Sequence, residues 1–182
     1  MPDAWSSELQ PLDTETIFRA LELEAVRYVI VGGLAAVLHR WSGTTADLDI
    51  VPADSSANLN KLGRALRSLN AVVYADPGRD DLFENGKPPE ADDFGYTAEG
   101  LRRHRVWHLM SDSGPIDVTF EIAGVGDYQK LRNEAESRDV FGLNITVASL
   151  EHVITSKRAV ARPKDLRVLP ELEELRDDRG TA

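Results

Sequence analysis

The chain has 182 residues, no cysteine, 42% hydrophobic residues and a formal net charge of −10. That is enough apolar sequence for one buried domain, or one domain with a small helical appendage; disulfides and thiolate metal sites are excluded, and disorder is not expected over most of the length. The negative charge argues against a broadly basic surface that coats nucleic acid, no apolar run approaches the roughly 20 residues of a membrane-spanning helix, and Met1-Pro2-Asp3-Ala4 lacks a signal-peptide pattern, so a cytoplasmic protein is expected.

The first periodic segment, about Thr14 to Val26, carries Ile17, Phe18, Leu21 and Leu23 at helical spacing, with Asp13 or Thr14 as N-cap. Tyr28-Val29-Ile30-Val31 is a short apolar run typical of a buried strand, closed by Gly32-Gly33, at which a helix through His39 opens. A second strand, Ala46 to Val51, stops at Pro52, and Asp54 or Ser55 caps a helix carrying Leu59, Leu62, Leu66 and Leu69. Ala71 to Tyr74 reads as another strand, and the Pro-, Gly- and Asp-rich stretch from Asp76 to Gly100 as a long exposed loop. Arg105 to Met110 and Pro115 to Ile122 read as a hairpin about Asp112-Ser113-Gly114. A short helix from about Tyr128 to Glu136 and an extended piece, Leu143 to Val147, follow. Ser149 or Thr146 then caps a helix with Leu150, Val153 and Ile154, and Pro163 separates it from a last helix through Leu166, Leu169, Leu172 and Leu175, with the tail after Arg176 expected to fray.

Chemistry concentrates in three places. Asp47 and Asp49 lie two residues apart in a strand, so both carboxylates face one small volume while Leu48 and Ile50 face the core. Such a pair suits magnesium, which takes oxygen ligands from one or two carboxylates and from substrate phosphates. Asp117, between Ile116 and Val118, faces away from both neighbours; on the face shared by Asp47 and Asp49 it adds a third carboxylate, as metal ligand or as base, with Glu121 a weaker substitute.

Gly32-Gly33 has two explanations: tight helix–strand packing or an unusual backbone angle, and close approach of a polyphosphate to backbone N–H groups at a helix N-terminus. Lys157 is a point charge suited to a triphosphate; Arg158, Arg162 and Lys164 suit an acceptor backbone better than chemistry. His39, His104, His108 and His152 show no metal-ligand spacing and receive no role, and Trp41 is either packed or a stacking surface for a base.

Taken in order, Tyr28-Val29-Ile30-Val31-Gly32-Gly33-Leu34-Ala35, Thr45-Ala46-Asp47-Leu48-Asp49-Ile50, Gly114-Pro115-Ile116-Asp117, Ser156-Lys157-Arg158 and Arg162-Pro163-Lys164-Asp165-Leu166 resemble the AbiEii/MenT group of nucleotidyltransferase toxins, within the polymerase-β-like superfamily. The resemblance covers about residues 14 to 176. It implies an α+β fold with a mixed sheet flanked by helices and a small C-terminal helical part. The chain would divide into an N-terminal extension (1–13), a catalytic core (14–148), helices completing the nucleotide site (149–176) and a tail (177–182).

It further implies magnesium, or manganese, on Asp47 and Asp49, NTP phosphates on Gly32 and Gly33, Lys157 on the triphosphate and Asp165 in the nucleotide site. The implied reaction moves a nucleoside monophosphate from an NTP to the tRNA acceptor end, with an antitoxin as partner. One departure stands out: Leu34 occupies the position where the superfamily commonly has Ser, so a phosphate contact from that hydroxyl is missing. A small-molecule acceptor such as an aminoglycoside, a protein hydroxyl, and a nucleotide-binding module without turnover are the alternative expectations.

Overall fold

The computed structural model describes residues 11–73 and 95–180, so most of the loop expected at 76–100, Tyr74 and Trp5 lie outside the described residues. Asp13 caps the first helix, α1 (Thr14–Leu23), by accepting the Thr16 N–H, and the helix buries Ile17, Phe18 and Leu21. Burying each such side chain contributes about 2 kcal/mol. Strand β1 (Tyr28–Val31) runs directly into α2 (Gly32–Leu38). Strand β2 (Leu48–Pro52) leads to α3 (Ser56–Ser68), whose N-cap is Ser55, bonded to the Asn58 N–H. The strand expected at 71–74 is the two-residue β3 (Val72–Val73), and α4 (Ala98–Leu101) is a single turn.

The hairpin of β4 (Val106–Ser111) and β5 (Gly114–Thr119) follows. The strand expected to run on to Ile122 breaks at Phe120, and β6 (Glu121–Ile122) pairs instead with β7 (Gly126–Asp127). Helix α5 (Tyr128–Asn133) is shorter than expected, because Glu136 begins a strand that sequence reasoning did not anticipate, β8 (Glu136–Val140). β8 pairs with β9 (Leu143–Val147), and helices α6 (Leu150–Val160) and α7 (Pro163–Gly180) pack on each other to end the described chain. Ser149 is the cap of α6, bonded to the His152 N–H. No described helix is long and apolar enough to cross a membrane.

Seven strands form one mixed sheet in the order β3-β4-β5-β2-β1-β9-β8. β1 is antiparallel to β2 and parallel to β9, and β2 is parallel to β5. One continuous core joins strand residues such as Val29, Ile30, Leu48, Ile50, Ile116 and Val118 to the buried faces of α1, α3 and α6. Trp107 is fully buried, and its indole N–H donates to the Leu101 carbonyl at 2.8 Å, so its polar atom is satisfied inside the core.

Helix α7 continues past Arg176 to Gly180, and Arg179 in its last described turn is held. It donates to the His39 carbonyl at 3.2 Å and to His39 Nδ1 at 3.1 Å, and pairs with Glu136 at 3.5 Å. His39 is fully buried, with its Nε2 2.7 Å from the Ala148 carbonyl, and burial holds its imidazole below the ordinary histidine range. An Nε2–H donor leaves Nδ1 to accept from Arg179, so the neutral ring ties α2, β9 and the end of α7 together.

Candidate active site

Strand pairing assembles the centre of the site. Val31 pairs with Asp49, Asp49 with Asp117, and Asp117 with His108, so these residues stand in one row across β1, β2, β5 and β4. Side chains on one face alternate along a strand, and Leu48, Ile50, Ile116 and Val118 take the buried face while Asp49 and Asp117 take the other. Asp47 precedes β2 rather than lying within it. Thr45 Oγ1 donates to its carboxylate at 2.7 Å, which holds Asp47 toward the same volume. Oxygen atoms of Asp47, Asp49 and Asp117 all lie within 4.8 Å of one another.

Gly32 and Gly33 make this convergence possible in a way the sequence did not disclose. Gly32 has φ +64°, and a Cβ added there would overlap the Asp49 carboxylate, lying 2.6 Å from its Cγ. A Cβ on Gly33 would come 2.5 Å from Thr45 Oγ1. The space that glycine leaves is therefore filled by Asp49 and by the threonine that holds Asp47. The Gly33 N–H is hydrogen-bonded to Asp49. Tight packing and an unusual backbone angle thus both account for the pair, and both glycines also line the cleft.

Burial, reinforced by the charges of Asp47 and Asp117, pushes the Asp49 carboxyl up to about 8, against the pull of the Gly33 N–H and the Lys164 charge. Three carboxylates at this separation repel one another, and a small, hard cation is the species that relieves the repulsion while using only oxygen donors. The donor set fits magnesium or manganese.

The cleft has a volume of about 370 Å³. Besides the carboxylates, the cleft is lined by residues from the end of α6 to the start of α7: Lys157, Arg162, Lys164, Asp165 and Arg167. Asp165 is 4% exposed and accepts from Lys157 Nζ at 3.1 Å and from Arg162 Nε at 2.7 Å. Burial alone would raise its carboxyl, but the hydrogen bonds and charges of Arg162 and Lys157 outweigh that and hold it below the usual range. Its geometric role is to set two cations against the cleft.

Lys164 and Arg167, three residues apart on the first turns of α7, line the cleft, are exposed and have no ion pair with a described residue. Arg158 is not among the lining residues; it pairs with Glu173 at 2.6 Å. Glu121 likewise lies away from the cleft and pairs with Arg105 at 2.8 Å.

Trp41 also lines the cleft, with its ring against Gly43, where an added Cβ would lie 2.6 Å from Cε2. Glu171 of α7 accepts the Ser42 N–H at 2.8 Å and the Trp41 indole N–H, and these bonds hold its carboxyl below the ordinary range. It pins the loop that leads to Thr45 and Asp47. Sequence reasoning gave no role to Thr45, His108 or Glu171. His108 alone had a usable signal: with Ser111 opposite Gly114 across the turn, counting back three residues puts His108 opposite Asp117.

No family model matches the chain, and no curated protein matches it. Among solved structures, the lincosamide antibiotic adenylyltransferase LnuA, lincomycin-bound, is similar with a TM-score of 0.55 and 11% identity, over 91% of this chain and 99% of that one. The antibiotic-resistance factor ANT(2'')-Ia in solution is similar with a TM-score of 0.52 and 11% identity, over 92% and 89%. The crystal structure of ANT(2'')-Ia in complex with adenylyl-2''-tobramycin gives 0.51 and 12%, over 91% and 93%. The chain therefore shares the fold of these proteins, and its acidic row lies on the central sheet of that fold.

Proposed function

We propose that the protein is a magnesium-dependent nucleotidyltransferase that moves a nucleoside monophosphate from an NTP to an acceptor hydroxyl and releases pyrophosphate. The observation that carries this reading is that three converging carboxylates and the cations Lys157, Arg162, Lys164 and Arg167 line one cleft. Asp47, Asp49 and Asp117 hold the cation, which when bound supplies charge neutralisation at the phosphoryl group being transferred. Lys157 and Arg162, set by Asp165, meet the charge that gathers on the departing pyrophosphate. The acceptor oxygen forms its bond to the α-phosphorus as the bond to the bridging oxygen breaks. The bridging oxygen leaves with the electron pair, and a carboxylate of the triad takes the acceptor's proton.

We assign the tRNA 3′ acceptor end as acceptor, and the toxin of a toxin–antitoxin pair as biological role. The resemblance to the AbiEii/MenT group supports both, and the exposed Lys164 and Arg167 at the cleft favour an anionic acceptor in a chain of net charge −10. A small-molecule acceptor is the second reading, favoured by the similarity to LnuA, a lincosamide antibiotic adenylyltransferase, and to the antibiotic-resistance factor ANT(2'')-Ia. A polycationic aminoglycoside would meet repulsion from Lys164 and Arg167.

The test is incubation of the protein with magnesium and each radiolabelled NTP, offered separately a tRNA pool, a protein mixture and small hydroxyl compounds. Label should enter tRNA, and Asp47→Ala and Asp49→Ala should abolish incorporation while keeping the fold. Label in an antibiotic instead would establish the second reading, and NTP binding without pyrophosphate release would mark a module without turnover. Mutants that transfer at the wild-type rate would refute the assignment. Expression should slow growth unless a neighbouring gene product is co-expressed.

A further inference from the structure

We propose that His108 is the positioning residue of the cation site, holding Asp117 in place through a hydrogen bond from Nδ1; this rests on the reading of the carboxylate triad as a cation site. His108 faces Asp117 directly across the β4–β5 hairpin, and its Nδ1 lies 2.8 Å from Asp117 Oδ1. The two side chains are 11% and 17% exposed, so little water competes for the contact. A carboxylate only accepts, so the proton of the pair sits on His108 Nδ1. His108 is not among the residues lining the cleft and lies on the side of Asp117 away from Asp49 in the strand order β4-β5-β2. It therefore acts through Asp117 and not on substrate.

The need for such a residue follows from the geometry. Asp49 is packed by Gly32 and bonded by Gly33, and Asp47 is held by Thr45. An oxygen of Asp117 lies within 4.8 Å of oxygens of both other aspartates, and rotation about its broad terminal torsion would carry that oxygen away from them. The bond to Oδ1 fixes that torsion and so sets where the second oxygen points. Partners of this kind behind a ligand typically change metal affinity 10- to 100-fold.

The test exploits the geometry of amide side chains: Asn places a donor near the position of His Nδ1, whereas Gln places one near Nε2. Manganese binding is measured by the spin-resonance signal of the free ion for wild type, His108→Asn, His108→Gln, His108→Ala and Asp49→Asn, with circular dichroism confirming the fold of each. His108→Asn should bind within about threefold of wild type, and His108→Gln and His108→Ala should bind about tenfold or more weakly. If His108→Ala does not fold, the contrast between Asn and Gln decides. Equal affinity in Asn and Gln variants, whether both match wild type or both are weakened alike, would overturn the proposal. A wild type that binds no manganese, or an Asp49→Asn variant that binds as wild type does, would instead defeat the cation site itself.

Discussion

Asp49 makes the metal-free protein pH-sensitive in a direction opposite to that of most carboxylates. Its carboxyl lies at about 8 in the folded chain against 3.8 for an unperturbed aspartate, so between these values the folded state holds a proton that the unfolded state has released. Stability from this group is full below pH 4 and is lost as pH rises toward 8. At 1.36 kcal/mol per pH unit the displacement sets a ceiling of about 6 kcal/mol. Asp49 keeps part of its surface open to the cleft, and local relaxation reduces the penalty, so about 2 kcal/mol is the expected size.

Asp49→Asn removes the charge and keeps an oxygen for the Gly33 N–H. At pH 8 in a chelator the variant should melt about 4–8 °C above wild type, and the gap should close toward pH 5. Magnesium should raise the melting temperature of wild type and leave Asp49→Asn unmoved. A wild type whose chelated stability is flat from pH 5 to 8, or an Asp49→Asn variant less stable than wild type at pH 8, would show that ionisation of Asp49 does not cost the fold stability.

Gly32→Ala should cost about 2 kcal/mol through the backbone angle alone and should also weaken manganese binding, since its Cβ overlaps the Asp49 carboxylate; denaturant melts and ion titration read the two effects separately. Asp165→Asn should destabilise the fold by about 2 kcal/mol near neutral pH and raise KM for NTP. Because the Asp165 carboxyl is held below its ordinary 3.8, the advantage of wild type should be constant above about pH 5 and disappear as pH falls below 4, which urea melts across that range measure. Arg167→Glu should raise KM for tRNA about tenfold and flatten its salt dependence, leaving KM for NTP nearly unchanged, as filter binding and initial rates will show.

The acidic pair was legible because strand alternation is a strict rule: apolar Leu48 and Ile50 force Asp49 to the opposite face, and Ile116 and Val118 do the same for Asp117. The caps at Asp13, Ser55 and Ser149 were legible for a similar reason, since few residue types satisfy the first helical N–H groups. β8 was missed because Glu-Ser-Arg-Asp-Val on the edge of a sheet buries no side chain fully and so leaves no apolar signature. The contacts of Arg179 near the end of α7 were not legible because its partners, His39 and Glu136, are remote from it in sequence. The packing that fills the space at Gly32 depends on β1 lying beside β2, a fact of pairing that the residue itself does not carry.

Anomalous diffraction from crystals soaked with manganese and a non-hydrolysable NTP should show a manganese peak bonded to oxygens of Asp47, Asp49 and Asp117, with the phosphates reaching Lys157 and Arg162. A cleft without a peak, or a triphosphate bound elsewhere, would rule out a divalent cation held by the three aspartates.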